Sequence, residues 1–181
     1  MSDNKLSVRY DEWLTKDELD LIYNAGQFFL YAAEEDLREF CPEEDFLPEI
    51  PEHVRREIII DIIYSSPAYT VKFMLSKNLP LSFVSGEGYS PLHAAIDADY
   101  PEKYEIMETL IKKGADVNIG ATRETMAINS WTPLHMAMAR EDKKATDILL
   151  KHGADPTIRT IIDDYSTPAE TAEILSKIKN S

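Results

Sequence analysis

Apolar residues recur at three- and four-residue spacing in several stretches of this chain, and proline, glycine or polar residues separate those stretches. This spacing places the apolar side chains on one face of an α-helix. The clearest stretch follows Pro51 and carries Val54, Ile58, Ile59, Ile62 and Ile63. Val71, Met74 and Leu75 repeat the spacing in a second, shorter stretch. The pattern therefore predicts an all-α protein built from short helices.

The first 50 residues form a segment of their own. Thr15 with Glu18 three positions later is typical of a capping box at a helix start. Apolar positions follow at mixed helical spacing, at Leu19, Ile22, Tyr23, Phe29, Leu30 and Ala33. One or two helices are therefore predicted before residue 40. Pro42, Pro48 and Pro51 exclude a continuous helix through residues 41–51, which we interpret as a connector.

Two stretches of the second part are copies of one unit. Residues 89–119 and 131–158 both open with Ser/Thr-Pro-Leu-His-x-Ala and close with Gly-Ala-Asp. These residues resemble the ankyrin repeat, a helix-turn-helix unit of about 33 residues. The resemblance implies an ankyrin-repeat solenoid of about three to four units, preceded by an N-terminal helical cap. Such an array cannot leave its first unit bare, because each repeat buries its apolar face only against a neighbour.

The repeat spacing departs from the family pattern at two places. Pro133 and Gly153 are 20 positions apart, as in an unmodified unit, whereas Pro91 and Gly114 are 23 positions apart. The excess of three lies between the two helices of that unit and predicts an enlarged turn. The link from Gly114 to Pro133 is about six residues longer than usual and predicts an extended finger over residues 118–131. Inserts of this kind lie in loops, often on the binding side.

The outer units match the pattern less well. Asn78 stands where the family has its glycine, and Thr167-Pro168 opens a last unit that ends after one helix. That last helix resembles a capping repeat, for which a polar outer face is expected. The predicted organisation is an acidic helical cap over 1–50 and an array over 51–181, divided into a degenerate unit 51–88, units 89–130 and 131–166, and a C-terminal cap 167–181.

The shared motif has structural explanations. Thr132 can cap a helix, Pro133 suits the first helical position, and Gly153 permits a left-handed turn. The expected inter-repeat core comprises Leu134, Met136, Ala137, Leu149 and Leu150. The resemblance implies that His93 and His135 form hydrogen bonds between neighbouring repeats. The residues assigned to the structural motif are Pro91, His93, Gly114, Pro133, His135 and Gly153.

Composition narrows the possible partners. The chain of 181 residues is 44% apolar and has a net charge of −14, from 33 acidic and 19 basic residues. Residues 1–53 hold most of the excess negative charge, with 15 acidic and 4 basic side chains. A phosphate backbone is an unsuitable ligand for such a surface, because its binding depends on lysine and arginine. We therefore expect a protein partner with a basic surface and no nucleic acid.

The sequence contains few candidates for a catalytic, metal-binding or cofactor-binding site. Asp97, Asp99 and Glu108 match positions 1, 3 and 12 of a calcium loop, but Pro101 and Glu102 stand where an oxygen ligand and a glycine are needed. Neither a phosphate-binding glycine loop nor a hydrolase or metalloprotease motif occurs in the sequence. We expect no enzyme activity, no metal and no cofactor.

The lone Cys41 cannot form an internal disulfide, and acidic neighbours would raise the pKa of its thiol. The polar start has no apolar core of a secretory signal, and the longest apolar stretch is shorter than a membrane span. These features favour a cytoplasmic protein without membrane contact. We expect a monomer when no partner is bound.

Three functions are compatible with the sequence. The first is a protein-binding inhibitor, because small bacterial ankyrin proteins resemble immunity proteins that neutralise a toxin, including nuclease-type toxins. The second is a scaffold, adaptor or effector that tethers another protein without inhibiting it. The third is an enzyme with a site in residues 1–50, where no suitable constellation is present. The acidic run from Glu34 to Glu52 could also serve only as a solvated face that keeps the protein soluble.

The predicted partner surface combines the family's hairpin tips and inner helix face with the acidic run. Tyr89 and Trp131 are its aromatic anchors, and hairpin packing is the alternative role for both rings. The residues predicted to contact a partner are Glu43, Glu44, Asp45, Glu87, Tyr89, Asp97, Ala98, Asp99, Tyr100, Arg123, Glu124, Met126, Trp131, Ala139 and Arg140.

Overall fold

A computed structural model of the chain describes residues 14–41, 44–85, 88–120, 131–160 and 166–179. These residues form nine α-helices and no strand, which confirms the predicted all-α class. The helices are α1 Lys16–Tyr31, α2 Glu34–Phe40, α3 Glu52–Ser65, α4 Ala68–Leu75, α5 Pro91–Asp97, α6 Lys103–Lys112, α7 Pro133–Ala139, α8 Lys143–Lys151 and α9 Pro168–Lys179.

The helices lie in two layers. In the first layer α1, α3, α5, α7 and α9 pack on one another in this order, and in the second layer α2, α4, α6 and α8 do the same. The pairs α3–α4, α5–α6 and α7–α8 are helix-turn-helix units that share one apolar core. Helices α1 and α2 extend both layers, so they occupy the place of a further unit although their sequence has no repeat motif.

The N-terminal helices are fixed to the array by specific contacts. The Thr15 backbone amide donates to Glu18 Oε2 at 2.8 Å, so the predicted capping box forms. Gly26 of α1 lies directly against the Asp61 carboxylate of α3, where a Cβ atom would collide with it. The Tyr69 hydroxyl of α4 donates to the Ala32 carbonyl oxygen at 2.7 Å. This segment therefore covers the end of the array, as expected.

The connector before α3 contains no helix in the part that the structure describes. It pairs with the end of the first unit, where the Asn78 amide donates to the Glu44 carbonyl oxygen at 2.8 Å. Asn78 does not have the positive φ that its alignment with the family's glycine suggests. The reason is that its backbone forms this bridge to the acidic run instead of a left-handed helix end.

The repeat motif forms its helix ends as predicted. Thr132 Oγ1 accepts the backbone amide of residue 135 at 3.4 Å, and Pro133 occupies the first turn of α7. Gly114 and Gly153 follow α6 and α8 with φ of 97° and 88°. These values lie in the left-handed region, where glycine has no steric penalty.

The core contains the predicted residues of α3, α4 and α7, together with Leu149 of α8. Leu150 is an exception, because 44% of its surface is exposed. Successive helical residues point about 100° apart. The core-facing stripe of α8 contains Ile148 and Leu149, and Leu150 lies one step beyond it, toward solvent. The outer face of α9 is not uniformly polar either, since Ile174 and Ile178 are exposed. No helix in the described parts of the chain is long and apolar enough to cross a bilayer.

Candidate functional site

The repeat histidines are structural links. The Ser90 amide donates to His93 Nδ1 at 3.1 Å, so the imidazole proton is on Nε2, which donates to the Trp131 carbonyl oxygen at 3.0 Å. Burial lowers the pKa of His93 to about 4 and keeps the ring neutral. The bond joins the start of α5 to the residue that precedes the cap of α7.

His135 repeats this arrangement one unit later. The Thr132 amide lies 3.2 Å from His135 Nδ1, and Nε2 lies 3.1 Å from the carbonyl oxygen of Ser166, just before α9. In both imidazoles Nδ1 therefore bonds to the helix cap of its own unit, and Nε2 bonds to the segment that precedes the next first-layer helix. This is the role that the resemblance implied, and it leaves neither ring available to bind a metal.

Three predicted partner-surface residues bond to one another. The Tyr89 hydroxyl donates to Asp97 Oδ2 at 3.0 Å, and the guanidinium of Arg140 forms an ion pair with the same carboxylate. Only 7% of the Asp97 side chain is exposed. Burial and the neighbouring carboxylate raise the pKa of Tyr89 to about 12. This network connects the second and third units along the first helix layer.

The enlarged turn between α5 and α6 lies beside this network and is fixed to its neighbours. The Tyr100 hydroxyl donates to the Ile63 carbonyl oxygen of α3 at 2.9 Å. Lys103 forms an ion pair of 2.9 Å with Asp142 of the next unit. Ala98 is buried, so its side chain is not accessible to a partner, whereas Asp99 is exposed. The three extra residues thus form an ordered wall that presents Asp99.

A concave pocket of about 410 Å³ lies between this wall, the end of α3 and the end of α1. Leu30, Pro67 and the rings of Tyr64 and Tyr100 provide apolar surface, and 42% of Tyr64 is exposed. The polar residues that line the pocket are Ser65, Ser66, Asp97 and Asp99. Two of the lining residues, Tyr64 and Tyr100, are aromatic. The pocket therefore has an aromatic border.

The other predicted contact residues differ in accessibility. Trp131 and Ala139 are half-buried, and Trp131 packs against the core. Glu44 and Asp45 are exposed on the connector. Five predicted residues lie outside the described part of the chain, namely Glu43, Glu87, Arg123, Glu124 and Met126.

Sequence reasoning missed Asn118, which links successive repeats. Its amide nitrogen donates to the Gly153 carbonyl oxygen at 3.3 Å, and its amide oxygen accepts the Asp155 backbone amide at 2.7 Å. A signal was available in the sequence, because Asn118 comes directly after the Gly-Ala-Asp-Val that closes its unit. Through these two hydrogen bonds, the Asn118 side chain connects the segment before the third unit to the segment after it.

Few of the described residues are candidates for metal binding or catalysis. Among the residues that the structure describes, no group of three histidine, cysteine, aspartate or glutamate side chains could hold a metal ion. Burial raises the pKa of the Cys41 thiol to about 11, so the reactive thiolate is disfavoured at neutral pH. The features that remain for function are the pocket, its aromatic border and the acidic surface.

Comparison with known proteins agrees with this architecture. Residues 87–121 and 129–161 match the family model of the ankyrin repeat. The chain therefore contains ankyrin repeats. Ankyrin repeats are generally a protein–protein interaction module without enzymatic activity of their own. The two matched segments contain the second and third helical units.

Similar proteins carry ankyrin repeats in longer chains. A Rickettsia felis protein named for its ankyrin repeats is 31% identical over 116 residues, which are 63% of this ankyrin-repeat chain and 36% of that protein. The 2-5A-dependent ribonuclease of Homo sapiens is 32% identical over 87 residues, or 48% of this chain and 11% of the enzyme. This chain therefore spans only a minor part of the length of the curated relatives it matches.

Proposed function

We propose that this ankyrin-repeat chain is a non-enzymatic inhibitor that binds a basic protein, such as a toxin or enzyme of the nuclease type, in a stoichiometric complex. The inhibitor covers the partner's basic or active surface with its own acidic surface and the first-layer groove. This function corresponds to that of an immunity protein, which neutralises a cognate toxin in the cytoplasm.

The acidic surface of the N-terminal segment supports the proposal. Exposed carboxylates without an ion-pair partner among the described residues are Asp17, Asp20, Glu35, Asp36, Glu39, Glu44, Asp45 and Glu49. Unpaired carboxylates on one surface favour the approach of a basic protein and increase its association rate. A surface that served only solubility would not make the association rate of one partner depend on these residues.

The test begins with capture of a partner from the native source and its identification by mass spectrometry. Association is then measured at low and physiological salt for the wild type and for Glu44→Gln with Asp45→Asn. The control is Asp116→Asn with Asp147→Asn, which removes the same charge from the repeats. We expect slower association only for the connector variant, with the difference reduced by salt. Equal rates for both variants would remove the acidic run from the binding surface.

A scaffold or adaptor is the second candidate function. The observation that favours it is the occurrence of similar segments in longer proteins that have different names, including a ribonuclease. A scaffold would leave the captured partner fully active, whereas an inhibitor would suppress it. The activity of the complex therefore distinguishes the two functions.

A further inference from the structure

The geometry points to an arginine side chain of the partner protein as the occupant of the pocket between α1, α3 and the enlarged turn. This inference rests on the proposed function, because it names the group by which a basic partner is held. The pocket includes residues from outside the repeat pattern. Its walls include Leu30, from a segment without the repeat motif, and Tyr100, from the three-residue insert.

The charges around the pocket favour a cation. Asp97 and Asp99 both line it, and none of the described lining residues is basic. The Asp97 carboxylate is already paired with Arg140, whereas Asp99 has no hydrogen-bond or ion-pair partner in the described structure. One exposed carboxylate is thus left unpaired at the pocket, on a chain with a net charge of −14.

A second polar group in the pocket lacks a partner. Ser66 lines it with only 1% of its surface exposed, and its hydroxyl has no hydrogen-bond partner among the described residues. A buried polar group without a partner costs free energy that a bound donor would recover. The five N–H donors of a guanidinium can serve the Ser66 hydroxyl and the Asp99 carboxylate together.

The aromatic rings favour arginine over lysine. A planar guanidinium stacks on a tyrosine ring while its edge donates hydrogen bonds, which the compact lysine ammonium cannot do. The hydroxyl of Tyr100 is bonded to Ile63, so its ring is held in place. Tyr64 is more exposed and adds a second ring. The pocket, at about 410 Å³, also has room for residues that flank the arginine.

The inference is tested with the peptide acetyl-Gly-Arg-Gly-amide, followed by the amide chemical shifts of the ¹⁵N-labelled full chain. The neutral control is the same peptide with citrulline in place of arginine, which keeps the shape and removes the charge. We expect saturable shifts around Ser66 and Asp99 with the arginine peptide only. Asp99→Asn should raise the dissociation constant by about fivefold or more, and Asp147→Asn should not change it.

Tyr64→Ala should weaken arginine binding, and Tyr64→Phe should restore it because the ring remains. Absence of saturation, equal binding of the citrulline peptide, or an unchanged constant in Asp99→Asn would each overturn the inference. Failure here is distinguishable from failure of the proposed function. If a captured partner binds and is inhibited equally by the wild type and Asp99→Asn, the function stands and the arginine pocket is wrong.

Discussion

Arg140, the residue after α7, forms an ion pair with Asp97, the last residue of α5, and the Tyr89 hydroxyl donates to the same carboxylate at 3.0 Å. The pair joins two successive repeats on the layer that also borders the pocket. Because Asp97 is largely buried, its carboxylate depends on these two partners to replace the contacts with water. The network therefore stabilises the relative position of the two repeats, and it holds one wall of the groove.

Removal of the ion pair should destabilise the protein. We expect Arg140→Ala to lower the free energy of unfolding by about 1–2 kcal/mol, because Asp97 then lacks its cation in a desolvated position. The exposed pair of Arg38 with Glu34 is the control, and Arg38→Ala should cost less than about 1 kcal/mol. Urea denaturation of both variants measures the difference. Equal losses would show that the Asp97 pair behaves as an ordinary surface pair.

Leu149 and Leu150 are adjacent leucines that should respond differently to truncation. Leu149 is fully buried, so Leu149→Ala should cost about 2–5 kcal/mol through lost burial and a cavity. Leu150 is 44% exposed, so Leu150→Ala should cost about 1 kcal/mol or less. Thermal and urea denaturation compare the two. A larger loss for Leu150 would contradict the orientation of α8.

Gly153 should be sensitive to substitution through its backbone alone. A Cβ atom at this position would have no atom within 4 Å, so the cost arises from the φ of 88°. Gly153→Ala should therefore lower the free energy of unfolding by about 1–2 kcal/mol, and Gly153→Asn by less, since asparagine tolerates the left-handed region. Chemical denaturation measures both. If alanine caused no loss, the helix end would have another conformation.

Much of the array was predictable from sequence because its signals are local. Pro133, Thr132 and Gly153 each satisfy a requirement of the backbone within a few residues. The pocket was not predictable as a whole, because it forms where α1, α3 and the enlarged turn meet. The sequence placed Asp99 and Tyr100 on the partner surface but gave no sign that Leu30 would join them.

Errors of prediction also had physical causes. Leu149 and Leu150 were both assigned to the core because both are apolar, yet the buried stripe of α8 contains Ile148 and Leu149, and Leu150 points toward solvent. Asn78 occupies the glycine position of the family, but its backbone pairs with the acidic run. Tyr89 and Asp97 were predicted as partner contacts. In the structure Tyr89 bonds to Asp97 within one repeat, and the ion pair of Asp97 with Arg140 joins that repeat to the next.

The buried imidazole of His93 should make stability depend on pH. The pKa of His93 is about 4 in the folded chain and about 6.5 when it is exposed to water. The unfolded state therefore binds more protons between these values, and stability falls as the pH falls below about 6.5. The loss attributable to His93 should be about 2 kcal/mol between pH 7 and pH 5.

Urea denaturation of the wild type and His93→Gln at both pH values measures this contribution. Glutamine can donate to the Trp131 carbonyl oxygen but does not titrate in this range. The variant should lose less stability than the wild type on acidification. The same loss in both proteins would show that His93 does not supply the predicted pH dependence.

The most direct test of the account is the activity of the captured partner, measured against the molar ratio of this chain. The account predicts that activity falls in proportion to added protein and is abolished near one chain per partner. It also predicts that an unrelated protein of equal negative charge does not inhibit. A partner that retains full activity when saturated with this chain would contradict the inhibitor function and favour a scaffold.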